Sequence, residues 1–273
     1  MIEPDILIST LHAIRAKNPL ILNITNQVAT QFTANILLGL GASPAMANAE
    51  EEVEEFVQKS NALVINIGTL STPQLRSMQL ASRTAYQQNI PWILDPVGIS
   101  ASLYRAKTTL SLLQNFPNAI RGNASEIISL YHYHQNTSPR TQGHGVDSLD
   151  SSHDALEAAK QLALSYKTTV SISGQTDYIT NGKEIVSVRN SHPLLTKVTG
   201  SGCAATAITA ACLSVEKNTL YACSAAMAFI GIAADIAMQH INAPGSLQIG
   251  LIDELYLLND EKIIKYAKIN LVK

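Results

Sequence analysis

The stretch Lys197-Val198-Thr199-Gly200-Ser201-Gly202-Cys203-Ala204-Ala205-Thr206 has the residue types and spacing that chemistry needs. Two glycines bracket a serine, and a run of small residues that reads as a helix follows at once. Such a turn lets backbone N–H groups point together at a helix start, where the dipole favours an anion such as a phosphate in transfer. Gly200, Ser201 and Gly202 are therefore candidate anion-hole residues. Cys203 falls on the first helical turn, where positive potential is expected to lower a thiol pKa. The same residues also suit a plain glycine turn opening a core helix, with Cys203 as a small buried hydrophobe.

Polar residues stand at the ends of several short apolar runs. In open α/β sheets ligands gather outside the carboxyl ends of the strands. The run Leu20–Thr25 leads into Asn23-Ile24-Thr25-Asn26-Gln27, so Asn23 and Asn26 are candidate ligand contacts; Asn26 suits a helix cap as well. The run Ala62–Gly68 again ends in a polar residue and glycine. Pro91–Gly98 ends in Asp95, whose carboxylate, fixed by the following proline, suits magnesium or a substrate hydroxyl. A turn or helix cap is the other role open to Asp95. Arg121 ends the short run Ala119-Ile120-Arg121, where it can pair with phosphate oxygens. Asn123 and Glu126 lie three apart on one helix face and read as a capping box, which does not exclude a ligand role.

The elements that must position these residues alternate. Helical patterns cover Glu3 to Lys17, a stretch ending at Leu40, Glu50 to Lys59, Ser71 to Gln88, Asp154 to Tyr166, Ala204 to Val215 and Leu220 to Gln239. A last helix begins at Pro244-Gly245-Ser246 and runs to about Leu258. Short apolar strands lie between the early helices, and this β-α-β-α rhythm predicts a parallel sheet covered by helices on both faces. Asn181-Gly182, between Asp177–Thr180 and Glu184–Val188, is a hairpin signal that adds an antiparallel edge. His132 to Ser152 reads as one long polar, turn-rich segment. The spacing of His132, His134, His144 and His153 matches no metal-ligand template.

Composition bounds the rest. The 273 residues fit one α/β domain over residues 1–273. Charged residues make up only 15%, against about 25% in average usage, which points to a well-buried core and to surface hidden in an oligomer. The net charge is −2 with no basic block, so nothing favours nucleic acid or an anionic membrane. The N-terminus lacks a signal-peptide pattern. Ala222 to Ala234 falls short of the roughly 18–20 residues of a membrane span and reads as a buried helix. Cys203, Cys212 and Cys223 lack C-x-x-C spacing, so neither a disulfide framework nor a zinc site is indicated, and a reducing cytoplasm is expected.

Taken together, these segments resemble the hydroxyethylthiazole kinase family of the ribokinase-like superfamily. The resemblance is carried by Asn23-Ile24-Thr25-Asn26, Ala34-Asn35, Gly41-Ala42-Ser43-Pro44-Ala45-Met46-Ala47, Asp95-Pro96-Val97-Gly98, Arg121-Gly122-Asn123-Ala124-Ser125-Glu126, Gly145-Val146-Asp147-Ser148, Leu194 to Cys203 and Ala243-Pro244-Gly245-Ser246. They follow the family order and span nearly the whole chain. The resemblance implies transfer of the ATP γ-phosphate to the hydroxyl of 5-(2-hydroxyethyl)-4-methylthiazole, in thiamine biosynthesis and salvage. It also implies a ribokinase-like fold and a cytoplasmic homotrimer with active sites between subunits. Asn23, Met46 and Gly200 would contact the thiazole, Arg121 and Ser173 the ATP, and Asp95 and Glu126 a magnesium ion. Cys203 would act as a modest base, standing where most ribokinase-like enzymes place a catalytic aspartate. A hydroxymethylpyrimidine or sugar kinase, or an ADP-dependent dehydratase, would be expected to keep that aspartate. A binding protein without turnover is the remaining alternative. After Gly98 the chain departs from the family pattern, reading Ile99-Ser100-Ala101-Ser102.

Overall fold

The computed structural model describes residues 4–137 and 152–272. The chain opens with α1 (Pro4–Lys17), β1 (Leu20–Ile24), α2 (Thr30–Leu40), β2 (Ser43–Ala45), α3 (Val53–Lys59), β3 (Ala62–Asn66), α4 (Thr72–Gln88) and β4 (Trp92–Asp95). It continues through a 3-10 turn (Ile99–Ala101), α5 (Leu103–Leu113), β5 (Ala119–Asn123), α6 (Ala124–His134), α7 (Ser152–Tyr166), β6 (Thr169–Ser173), β7 (Asp177–Thr180) and β8 (Ile185–Val188). A second 3-10 turn (Pro193–Lys197) leads to α8 (Ser201–Leu213), α9 (Thr219–Ala237), α10 (Pro244–Tyr256), α11 (Asp260–Tyr266) and β9 (Ile269–Val272).

All nine strands join one sheet in the order β2-β1-β3-β4-β5-β6-β7-β8-β9. β2 through β6 in that order are parallel, and β6 to β9 pair antiparallel. This is the mostly parallel, helix-covered sheet with an antiparallel edge that the sequence predicts. The edge is wider than the hairpin alone, because β9 pairs with β8 at residues the sequence reading leaves without an element. The helices α5 and α11 are likewise additions. Ser102, part of the departure after Gly98, caps α5 by accepting from the Arg105 N–H at 3.3 Å.

Two apolar cores flank the sheet. One lies beneath α1, α2 and α8 to α10; the other lies beneath α3 to α7. The helix α9 reaches 19 residues with a mean hydropathy of 1.7, long and apolar enough to cross a membrane by length and composition. Yet 89% of it is buried inside the protein, so it packs as a core helix. Its boundary lies further out than the apolar run suggests, because the Asn218 side chain caps the backbone N–H groups of Leu220 and Tyr221.

His132 and His134 belong to the last turn of α6 rather than to a loop. His134 Nδ1 is 2.9 Å from the Tyr166 hydroxyl, and His132 Nδ1 is 3.1 Å from Thr137 Oγ1. His144, the Gly145-Val146-Asp147-Ser148 motif and most of the proposed polar segment lie outside the described residues, as does the side chain of His153.

Candidate active site

Strand alternation selects one face of the sheet for the chemistry. Ile21, Val64, Ile93 and Ala119 point into the core beneath α8, whereas Leu22, Leu63, Leu94, Ile120, Val170 and Ile172 point to the opposite core. Successive side chains on a strand face opposite ways. Asn23, Asn66, Asp95, Arg121 and Ser173 therefore all project from the carboxyl-end half of the sheet onto the α8 side. The register sets Asn66 directly beside Asp95 and Asn123 beside Ser173.

The start of α8 is laid over these residues. Gly200 is its N-cap, with φ of 83° in the left-handed region that favours glycine. Cys203 follows on the first turn, and Thr206 one turn later faces the same way. Thr206 Oγ1 donates to Asp95 Oδ2 at 2.7 Å. Asn66 Nδ2 donates to the same oxygen at 2.7 Å and to Cys203 Sγ at 3.2 Å. Asn26 Nδ2 donates to Asn66 Oδ1 at 2.9 Å and to Cys203 Sγ at 3.2 Å. Asn26 also caps the next segment, accepting from the Ala29 N–H at 3.0 Å. Its capping and site roles coexist.

The neighbouring polar atoms lack partners. Arg121 is only 9% exposed, its Nε makes no hydrogen bond, and its Nη1 lies against Gly202, where an added Cβ would approach to 2.7 Å. Asp95 Oδ1 and Asn23 Oδ1 are buried without partners; Asn23 spends its amide on the Ile21 carbonyl at 2.8 Å. Ser201 is turned away from this cluster: its N–H reaches Val198 O at 3.2 Å and its hydroxyl reaches Leu195 O at 3.0 Å. The backbone N–H groups of Gly202 and Cys203 make no hydrogen bond among the described residues. They are the donors this helix start presents, and Ser201 serves the turn.

Burial sets the electrostatics. It pushes the Asp95 carboxyl up to about 7, against the opposing pull of Arg121 and the hydrogen bonds from Thr206 and Asn66, while Glu126 adds to the rise. Burial, reinforced by Asp95, also pushes the Cys203 thiol up to about 11. The hydrogen bonds from Asn26 and Asn66, and the charge of Arg121, pull it down by less. The expectation of a lowered thiol pKa from the helix start is thus overturned. Desolvation of the sulfur is the largest contribution.

Other sequence candidates lie around this centre. Glu126 completes the capping box with Asn123, its Oε2 accepting from the Asn123 N–H and its Oε1 from the Gly98 N–H, both at 2.9 Å. Ser173 lines a cleft of about 150 Å³ with Ala124, Ile172, Gly174, Thr176 and Tyr178. Met46 lies beyond β2 at the sheet edge, half-buried and outside the hydrogen-bonded cluster. Asn66, Thr206 and Arg105 carry parts of the site that sequence reasoning did not assign. Arg105 donates to the carbonyls of Ile67, Val97 and Gly68 at 2.6–2.8 Å, tying together the loops after β3 and β4. Asn66 was signalled by its place at a strand end, and Thr206 by its spacing from Cys203. Nothing local marked Arg105.

The fold is ribokinase-like. The fold superposes on a ribokinase-like superfamily protein from Enterococcus faecalis V583 with a TM-score of 0.63, at 13% identity, over 95% of this chain and 96% of that one. Residues 11–261 match the hydroxyethylthiazole kinase family, and the chain belongs to that family. It is 45% identical over 269 residues to the hydroxyethylthiazole kinase of Syntrophus aciditrophicus, covering 98% of both chains. The structure of the hydroxyethylthiazole kinase protein from Pyrococcus horikoshii OT3 superposes with a TM-score of 0.91, at 37% identity, over 98% of this chain and 100% of that one. The family phosphorylates the thiazole alcohol in thiamine biosynthesis, and this chain is a kinase of that family.

Proposed function

We propose that this kinase transfers the γ-phosphate of ATP to the hydroxyl of 5-(2-hydroxyethyl)-4-methylthiazole at the start of α8. The observation that carries this reading is the buried Arg121 guanidinium with an unpartnered Nε, set against Gly202. A buried guanidinium N–H without an acceptor is costly, and an anionic ligand offsets that cost. The free N–H groups of Gly202 and Cys203 act with it as the anion hole, on the turn formed by Gly200 and Ser201. Ser173 and its cleft take another part of the ATP. Asn23, with its free buried Oδ1, Met46 and Gly200 contact the thiazole.

Phosphoryl transfer has a loose transition state, so positioning and charge stabilisation dominate. Cys203 receives the acceptor proton as a modest base. Burial holds the thiol protonated at neutral pH, so only the minor thiolate fraction can take that proton, and only a small part of the rate comes from the transfer. The donor set fits a hydrated magnesium ion. Asp95 Oδ1 is free, and each Glu126 oxygen keeps a lone pair beyond its single backbone bond. Magnesium keeps several waters, so a pair of carboxylates is enough to hold it. Bound there, it would neutralise phosphate charge.

A cytoplasmic homotrimer with sites between subunits completes the reading. Exposed apolar side chains on and around α2 and α10 (Val28, Leu38, Ile249 and Tyr256) support a surface that another copy covers. Sedimentation of the purified chain tests it, and a monomer would discard it. The activity itself is tested by ADP release with magnesium-ATP and the thiazole alcohol, for wild type and Cys203→Ala. Thiazole-dependent release, reduced in the variant with little change in KM for ATP, is expected. Unchanged turnover in the variant would remove the base, and no thiazole-dependent release from wild type would remove the substrate.

A further inference from the structure

The hydrogen-bonded half of the site carries an inference beyond that reading. A primary amide has two N–H donors. Asn26 gives one to Asn66 Oδ1 and one to Cys203 Sγ; Asn66 gives one to Asp95 Oδ2 and one to Cys203 Sγ. Both amides are thereby fully used. Their orientation is set by the backbone, because the Ala29 N–H donates to Asn26 Oδ1 and the Gly68 N–H to Asn66 Oδ1, each at 3.0 Å. Asn66 cannot turn its oxygen to the sulfur without leaving the Gly68 N–H unpaired, and turning Asn26 would leave the Ala29 N–H only its longer bond to the Asn26 carbonyl at 3.3 Å. Arg105, holding the Ile67 and Gly68 carbonyls, braces the loop behind Asn66.

We propose that Asn26 and Asn66 are positioning residues: an amide clamp from the ends of β1 and β3 holds Cys203 Sγ as an acceptor in fixed relation to Asp95. With two N–H donors on it, the sulfur keeps its remaining side for the acceptor hydroxyl. The thiolate, which still has a free lone pair there, takes the hydroxyl proton in one orientation. The clamp rests on the reading of Cys203 as the residue at the acceptor. Its chemistry concerns the transferring step and leaves nucleotide binding to Arg121.

Asn66→Leu and Asn26→Leu keep nearly the same side-chain shape, delete the amide donors and add no charge beside Asp95 or the sulfur. Each should lower kcat by about tenfold or more and leave KM for ATP within about twofold. In a Cys203→Ala background the Asn26 change should cost less than about twofold, because it has no sulfur left to position, while the Asn66 change keeps only the part that acts through its bond to Asp95 Oδ2. A second readout needs no turnover. Cys212 and Cys223 are fully buried, so iodoacetamide at neutral pH reports on Cys203, with intact mass counting the label. Alkylation should slow about fivefold or more in both variants, since the N–H donors favour the reactive thiolate. Equal or faster alkylation in folded variants, or full additivity with Cys203→Ala, would overturn the clamp. Should a leucine variant fail to fold, Asn66→Ser, which also lacks the amide and adds no charge, gives the same test. A wild type without thiazole-dependent ADP release would defeat the assigned reaction, while the alkylation rates still decide the clamp.

Discussion

The two halves of the site, both packed at the start of α8, differ in how their polar groups are satisfied. On one side, Asn26, Asn66, Thr206 and Asp95 Oδ2 form a closed set in which each amide N–H has an acceptor. On the other, Arg121 Nε is buried without an acceptor and Asp95 Oδ1 without a donor. Asp95 belongs to both, with one oxygen tied and one free. Buried polar atoms left unpaired cost stability, and those paired contribute to it. The closed half is therefore built for position, and the open half for a ligand.

Removing the Arg121 side chain is the largest test of this contrast. Arg121→Ala should raise KM for ATP by about 100-fold, consistent with the loss of charge-assisted hydrogen bonds. It should lower the melting temperature of the ligand-free protein only slightly, because Nε has no hydrogen bond to lose and the charge merely opposes the burial of Asp95 and Asp177. A clear drop in melting temperature would show that the arginine is a structural group. Thr206→Val probes the closed half and should do the reverse. Losing the bond to Asp95 Oδ2 should cost about 1–3 kcal/mol in urea unfolding while changing KM for ATP by less than about threefold. A large change in ATP binding with full stability would erase the distinction between the halves.

Asp177 offers the smallest and most specific test, at the border of the open half. Its carboxyl is pushed up to about 6 by burial, against the Gly174 hydrogen bond and the Arg121 charge. The native state thus holds this proton more tightly than the unfolded chain, whose ordinary value is 3.8. The stabilisation is present in full below about pH 4 and is lost as pH rises through about 6. Asp177→Asn keeps an oxygen for the Gly174 N–H but does not titrate. Relative to wild type it should gain about 1–3 kcal/mol between pH 4 and pH 7, read from urea unfolding at each pH. A difference that does not grow with pH would show that the native carboxyl is not raised.

Much of the site was legible along the chain because it follows strand ends and turns. Asp95, Arg121, Asn23 and Asn26 were found from their places after apolar runs, and Asn123 with Glu126 from their spacing. The helix start at Gly200 was read from two glycines and the small residues behind them. Met46 and Ser173 were reached through family resemblance, since neither has a local signal. Arg105 was missed because its three acceptors lie 8 to 38 residues away in sequence. The outer strand β9 was missed for a similar reason, since it is short and gains its partners only from β8.

By itself the sequence determined the alternation of strands and helices, the hairpin at Asn181-Gly182, the glycine turn and the family. Each of these depends on hydrophobic period, backbone freedom or short motifs, which act over a few residues. The tertiary structure alone decided that Asn66 and Thr206 share one oxygen of Asp95, that Ser201 faces its own turn, and that the Cys203 thiol is held above its ordinary pKa. Those outcomes depend on desolvation and on hydrogen bonds between groups far apart in the chain. Such forces are fixed only when the sheet brings β1, β3, β4 and β5 together beneath α8.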